Sequence, residues 1–182
     1  MKALRFASLG VALVIVSACA NDDDPVRGTA PSAIQGPTSD RSVASAAPVQ
    51  TSGHFDAIVD FSTITLTPRG ANCLLGVDGR LVFSGTIQGT ATGHTSALEF
   101  APCDQVAVNP PGTFEDVFKS VATFDGTIAG QPAHSDLLYM GRVQVGGAID
   151  GRLVFSNGIA GMLDATSIVA VGGTYSGSLV VK

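Results

Sequence analysis

The chain has 182 residues, 45% of them hydrophobic and 6% aromatic, with no Trp and a formal charge of −5. That length allows one domain, or one domain and a tail. An acidic chain without a cluster of Lys and Arg argues against nucleic acid as a partner, because phosphate contacts need grouped cations. The 22 glycines are spread at intervals, the profile of a β-rich domain with tight turns and a core of Val, Ile, Leu, Ala and Phe.

Residues 1–18 have the order of an export signal. Lys2 and Arg5 give a basic start, Phe6 to Val16 a short apolar stretch, and Val16-Ser17-Ala18-Cys19 follows. The apolar run is too short to span a bilayer. The last four residues look like a lipobox, the site where bacterial lipoproteins are acylated on Cys and cleaved just before it. An ordinary signal peptide cut near Ala18 or Ala20 is the alternative. Several acyl chains on Cys19 would meet the requirement of more than one chain for stable anchoring. The expected location is the bacterial cell envelope, with the membrane as a partner through the lipid. Ala20, rather than Asp, follows Cys19, which directs the expectation to the outer membrane where a cell has two.

Assigning Cys19 to the lipid leaves Cys73 and Cys103 of the three cysteines. In an exported domain the simplest expectation is a disulfide. A loop of about 30 residues closed in this way contributes roughly 3–4 kcal/mol on the chain-entropy model. Two separate buried thiols are the alternative.

Residues 19–52 read as a disordered tether, with Pro25, Pro31, Pro37 and Pro48 among Ser, Ala, Thr and Asp, and no aromatic residue. Such a stretch cannot bury enough apolar surface to offset its ordering entropy. As a flexible coil it reaches roughly 30 Å on average. Asp22-Asp23-Asp24 is a solvated charge run.

Residues 53–182 read as strands. Phe55, Ala57, Val59 and Phe61 alternate with His54, Asp56 and Asp60, the period of a half-buried strand. Ile64 and Leu66 carry the apolar phase on the other parity, as a β-bulge near Ser62-Thr63 produces. Leu81, Phe83 and Ile87, then Leu137, Tyr139 and Val143, continue the alternation. The stretch from Ala101 to Gly112 holds three prolines and predicts a loop, at most around a short edge strand. Asp78-Gly79-Arg80-Leu81-Val82-Phe83-Ser84 recurs as Asp150-Gly151-Arg152-Leu153-Val154-Phe155-Ser156, and Ile87 and Gly89 match Ile159 and Gly161. Asp-Gly between apolar runs predicts a hairpin turn in each copy. The repeat itself points to two similar halves of a closed sheet, or more blandly to convergent turn chemistry. Closure removes the edges of an antiparallel sheet, so the fold class expected is all-β, a single antiparallel closed β-barrel of about eight strands. Such a barrel either fills with side chains or holds one small ligand.

The order of Phe124-Asp125-Gly126-Thr127-Ile128-Ala129-Gly130, Ser135-Asp136-Leu137-Leu138-Tyr139-Met140-Gly141, the second heptapeptide through Gly161, and Gly172-Gly173-Thr174-Tyr175-Ser176-Gly177-Ser178-Leu179 resembles bacterial domains of the allene oxide cyclase-like β-barrel group, to which dirigent proteins also belong. The resemblance implies an eight-stranded antiparallel barrel with a lumen. It carries over no catalytic residue, because no active-site motif of the cyclases or dirigent proteins can be matched.

Two carboxylates, Glu99 and Asp136, lie in otherwise apolar strands and are the candidate acids or bases. Inside a lumen either would have a raised pKa, but the simple alternation places each outside. His134 and Asp136, like His54 and Asp56, share a strand face and are expected to be solvated outer-face pairs rather than metal ligands. No phosphate-binding loop, nucleophile elbow or CxxC is present, and no cofactor or metal is called for. Three functions follow: a binding module for a small apolar or amphipathic ligand; an isomerase or cyclase, implied by the resemblance; and a structural or surface-interaction protein with a side-chain-filled barrel.

Overall fold

The computed structural model describes residues 47–182; the export signal, Cys19 and most of the expected tether lie outside them. Eight strands follow one another: β1 Val49–Arg69, β2 Asn72–Gly85, β3 Ile87–Glu99, β4 Asp116–Ile128, β5 Gln131–Val143, β6 Ala148–Ser156, β7 Ile159–Ile168 and β8 Gly172–Val181. One helical turn, α1 (Cys103–Val106), interrupts the β3–β4 connection. Each strand pairs antiparallel with the next, and β8 returns to β1, so the sheet closes into a barrel.

β1 begins at Val49 and so takes in the last residues of the segment whose composition reads as tether. Thr51 is buried there, its hydroxyl donating to the Gly177 carbonyl at 3.3 Å. Register between β1 and β2 slips between Asp60 and Thr65, the bulge expected from the parity change at Ser62-Thr63. β8 pairs with β1 only as far as Asp56↔Gly172. Beyond the Ala57 amide, which donates to the Val171 carbonyl, β1 is paired with β2 alone among the described strands.

The two Asp-Gly pairs do not form turns. Asp78-Gly79 lies inside β2, where Gly79 faces Val59 on one side and Gly93 on the other. Asp150-Gly151 lies inside β6, between Gly141 and Ala165. A Cβ at Gly79 would stand 2.8 Å from the Ile58 carbonyl oxygen, and one at Gly151 at 2.8 Å from that of Met140. These glycines serve close strand approach rather than a reversal. The reversals come after each heptapeptide, at Gly85-Thr86 and at Asn157-Gly158. The copies occupy β2–β3 and β6–β7, four strands apart in a ring of eight. Ile87 and Ile159 are both buried, and Gly89 and Gly161 share an unusual φ, +143° and +149°. The repeat is thus one local structure used twice.

The interior is filled at one end only. Phe83, Phe124, Phe155, Leu163, Tyr175 and Leu179 pack there, at the end holding the β2–β3, β4–β5 and β6–β7 turns. Phe124 meets Phe83 and Phe155 edge-on at 5.8 and 5.7 Å, each such pair adding about 0.5–1.5 kcal/mol beyond burial. Tyr175 caps this end: its hydroxyl accepts the Ile87 amide hydrogen at 3.0 Å and donates to the Ser84 carbonyl at 3.0 Å. Toward the opposite end the inward face of β3 reads Ala91, Gly93, Thr95, Ala97 and Glu99. The lumen beside these small residues is left open.

The long β3–β4 connection borders that open end. Cys73 of β2 and Cys103 form the expected disulfide. The Gly146 amide donates to the Gly112 carbonyl at 2.9 Å, and Arg142 pairs with Glu115 at 2.5 Å. The segment is a loop around a helical turn, and no edge strand forms in it.

Replacing Tyr175 with Phe removes the acceptor of a buried amide and should cost about 1–3 kcal/mol of stability. Urea denaturation of Tyr175→Phe beside the parent chain measures this; an unchanged midpoint would refute the capping role.

Candidate functional site

A cavity of about 160 Å³ occupies the unfilled half of the lumen. Its floor is the Phe55–Tyr139 pair, ring centroids 5.8 Å apart. Ala57, Val59, Leu75, Val77, Phe118 and Val169 supply apolar walls, and Pro111 and Gly112 of the β3–β4 loop lie at its edge. On the rim, Phe61 is 53% exposed and Ile64 and Ile168 are also exposed.

The polar groups are arranged in two levels, set by the register of β3 against β4. Nearest the mouth, Glu99 stands directly opposite Asp116. Four residues along each strand, Thr95 stands opposite Ser120, their hydroxyl oxygens 2.6 Å apart. Ser120 in turn faces Tyr139 on β5, whose hydroxyl shares a hydrogen bond of 2.8 Å with Ser167 of β7. This belt of four hydroxyls surrounds the middle of the cavity and satisfies itself in pairs. Burial holds the Tyr139 phenol above its ordinary pKa, opposed by the Ser167 hydrogen bond.

Glu99 and Asp116 are different. They are 8% and 3% exposed, and no ion pair engages either among the described residues. Asp116 Oδ1 is buried without a hydrogen-bond partner. Desolvation raises the pKa of Glu99. It also raises that of Asp116, with the charge of Glu99 adding to it, to about 7. Directly opposed carboxylates stand close enough to disfavour double ionisation. Near neutral pH the two therefore hold a proton that ordinary carboxyls would have released.

Glu99 thus faces the lumen, contrary to the solvent-facing position that alternation alone favours. Its neighbours Leu98 and Phe100 take the outward and rim positions: Leu98 alternates out, and Phe100 is exposed where the strand ends. Asp136 does lie on the outer face of β5, where the Asn157 side-chain amide donates to it. The two carboxylates singled out by sequence are therefore not brought together. Asp116 is the residue that reasoning missed, and its signal was present in the period-two run Asp116, Phe118, Ser120, Ala122, Phe124. His134 pairs across strands with Asp125 at 2.5 Å, and His94 with Asp78 at 2.6 Å, all four exposed. Among the described residues no group of three or more His, Cys, Asp or Glu could hold a metal ion.

Set against family models, curated proteins and solved structures, the chain matches none of them.

The Asp116 carboxyl holds its proton up to about pH 7 in the folded chain and to an ordinary 3.8 once unfolded. Between those values the folded state binds the extra proton. The stability it confers is complete below about pH 4 and is lost as pH rises through about 7. Asp116→Asn, permanently neutral, should therefore melt about 5–10 °C above the parent chain at pH 8 and level with it near pH 4. Calorimetry at the two pH values checks this; a gain of the same size at both would point to packing instead of charge.

Proposed function

We propose that this protein is an envelope-anchored lipoprotein whose barrel takes up a small apolar or amphipathic ligand through its open end. The observation that carries the reading is the half-filled lumen. The side chains that fill the lumen end at Phe55 and Tyr139, and beyond them lies a largely apolar cavity of about 160 Å³ with a few convergent polar groups. That is the usual composition of a small-molecule site. An apolar cavity of about 150 Å³ accommodates a benzene molecule, so the enclosed part of the ligand is of that size. The apolar rim at Phe61 and Ile64 supports a ligand that extends past the mouth. A barrel filled from end to end, the premise of a purely structural role, is not what these residues form.

A second reading, an isomerase or cyclase of the kind the resemblance implies, gains support from one feature. Glu99 and Asp116 lie within the cavity, and a carboxyl that titrates near neutrality can both give and take a proton there. Fold analogy supplies no substrate, so binding stands first.

Native mass spectrometry of the purified full chain, compared with its denatured mass, should reveal a stoichiometric non-covalent adduct. Ala97→Phe, which places a ring against the cavity, should abolish it. An adduct retained by Ala97→Phe would put the ligand elsewhere. The recovered compound, incubated with fresh protein, should come back unchanged if the protein only binds; conversion that Asp116→Asn abolishes would establish the second reading.

Anchoring rests on Cys19, outside the described residues. Cys19→Ser should release the protein from the membrane fraction and end incorporation of labelled palmitate, and density fractionation should place the parent chain in the outer membrane of a two-membrane cell. Undiminished labelling of the variant would remove Cys19 as the lipid site.

A further inference from the structure

The Glu99–Asp116 pair says something about the ligand's head group, on the premise that the cavity binds a small molecule. Two carboxyl groups stand opposite each other near the mouth of a largely apolar chamber, and no ion pair engages either among the described residues. The nearest cation by register is Arg142, beside Asp116's neighbour Val117, and it lies on the outer face paired with Glu115 at 2.5 Å. Asp116, nearly completely buried, has Oδ1 left without a donor. The hydroxyls deeper in the cavity are already bonded to one another, Thr95 to Ser120 and Tyr139 to Ser167. The unmet need of the chamber is therefore for hydrogen-bond donors and positive charge, at one place.

From this we propose that the cavity is a site for a primary amine with a compact apolar body, its ammonium group bridging Glu99 and Asp116. An ammonium brings three donors and no acceptor, which suits two adjacent carboxylates. An alcohol brings one donor and leaves the charge uncompensated. A carboxylate ligand would place a further negative charge beside the pair, in a medium where like charges are poorly screened. The aromatic rings next to the pair add to the preference. Phe118 follows Asp116 on the inward face of β4, and its ring meets that of Tyr139 at 4.9 Å, so a cation at the mouth lies near aromatic faces. The net charge of −5 favours approach of a cation at long range.

Benzylamine, benzyl alcohol and benzoate share one ring and differ in head group, so they separate the two layers of the argument. Each is titrated by NMR into the full chain at pH 7.5 and low salt. Benzylamine should bind at least about tenfold more tightly than benzyl alcohol, with benzoate weakest. In a chain carrying Glu99→Gln and Asp116→Asn, benzylamine and benzyl alcohol should bind alike, with the affinity for benzyl alcohol retained. Should that variant not fold, nuclear Overhauser contacts from the benzylamine methylene to the rings of Phe118 and Tyr139 in the parent chain decide the same point. Equal or tighter binding of benzyl alcohol by the parent chain overturns the amine assignment and leaves the binding site standing. A preference for the amine that survives the double substitution, or a methylene that contacts neither ring, overturns it also, by placing the cation on the outer acidic surface. Binding of none of the three overturns both the assignment and the cavity's role.

Discussion

Closure of β8 onto β1 is the constraint on which the rest of this structure depends. Eight antiparallel strands joined in a ring leave no freedom in the width of the lumen, and every inward position must then be either filled or left empty. The pairing from Val49↔Leu179 to Asp56↔Gly172 makes that closure. It runs along the filled end, where the aromatic cluster and the Tyr175 hydrogen bonds hold the strands together. At the other end β1 outruns β8, and the disulfide and the loop contacts around Gly112 and Glu115 hold the mouth. One end of the barrel is secured by packing and the other by cross-links.

That division follows from the size of the inward residues. On β4 the inward series sets two small residues between large ones, Phe118, Ser120, Ala122, Phe124, while on β3 it is small throughout from Ala91 to Ala97. Phe83, Phe124 and Phe155 reach across the lumen at one level only. A void bordered by Gly93 and Ala97 forfeits dispersion contacts that a filled barrel would gain. Two buried carboxyls at its mouth add a desolvation cost. Both features oppose stability, and both converge on the same cavity.

The repeat gains its meaning from the same ring. Two copies of one heptapeptide, on strands four apart, send Phe83 and Phe155 toward Phe124 from two sides of the lumen. The layer so formed lies within the filled half and supports the floor, Phe55 packing on Phe83 with ring centroids 5.8 Å apart. The copies differ in what lies above them: over β2 the lumen is open, whereas Leu153 and Leu163 fill the space beside β6. Local symmetry builds the packing beneath the floor, and the departure from symmetry leaves the chamber above it.

Much of the fold was legible from the chain. Alternation in Phe55–Phe61, Leu81–Ile87 and Leu137–Val143 marked strands, because the pleat sends successive side chains to opposite faces. The parity change at Ser62-Thr63 marked the bulge, and the cysteine count marked the bridge. Alternation states which residues share a face but not which face is inside. Alternation by itself put Glu99 outside, but apolar residues of both parities flank it, and only the pairing of β3 with β4 set it inward opposite Asp116. Asp78-Gly79 and Asp150-Gly151 carried a turn signal that pairing on both flanks overrode, since a residue hydrogen-bonded between two neighbours cannot also reverse the chain. The sequence by itself determined a β domain with these strands and this disulfide, because those depend on local period and on counting. Only the tertiary structure decided that the lumen stays half open and that two distant carboxyls meet at its mouth, because both depend on register between strands that no local pattern records.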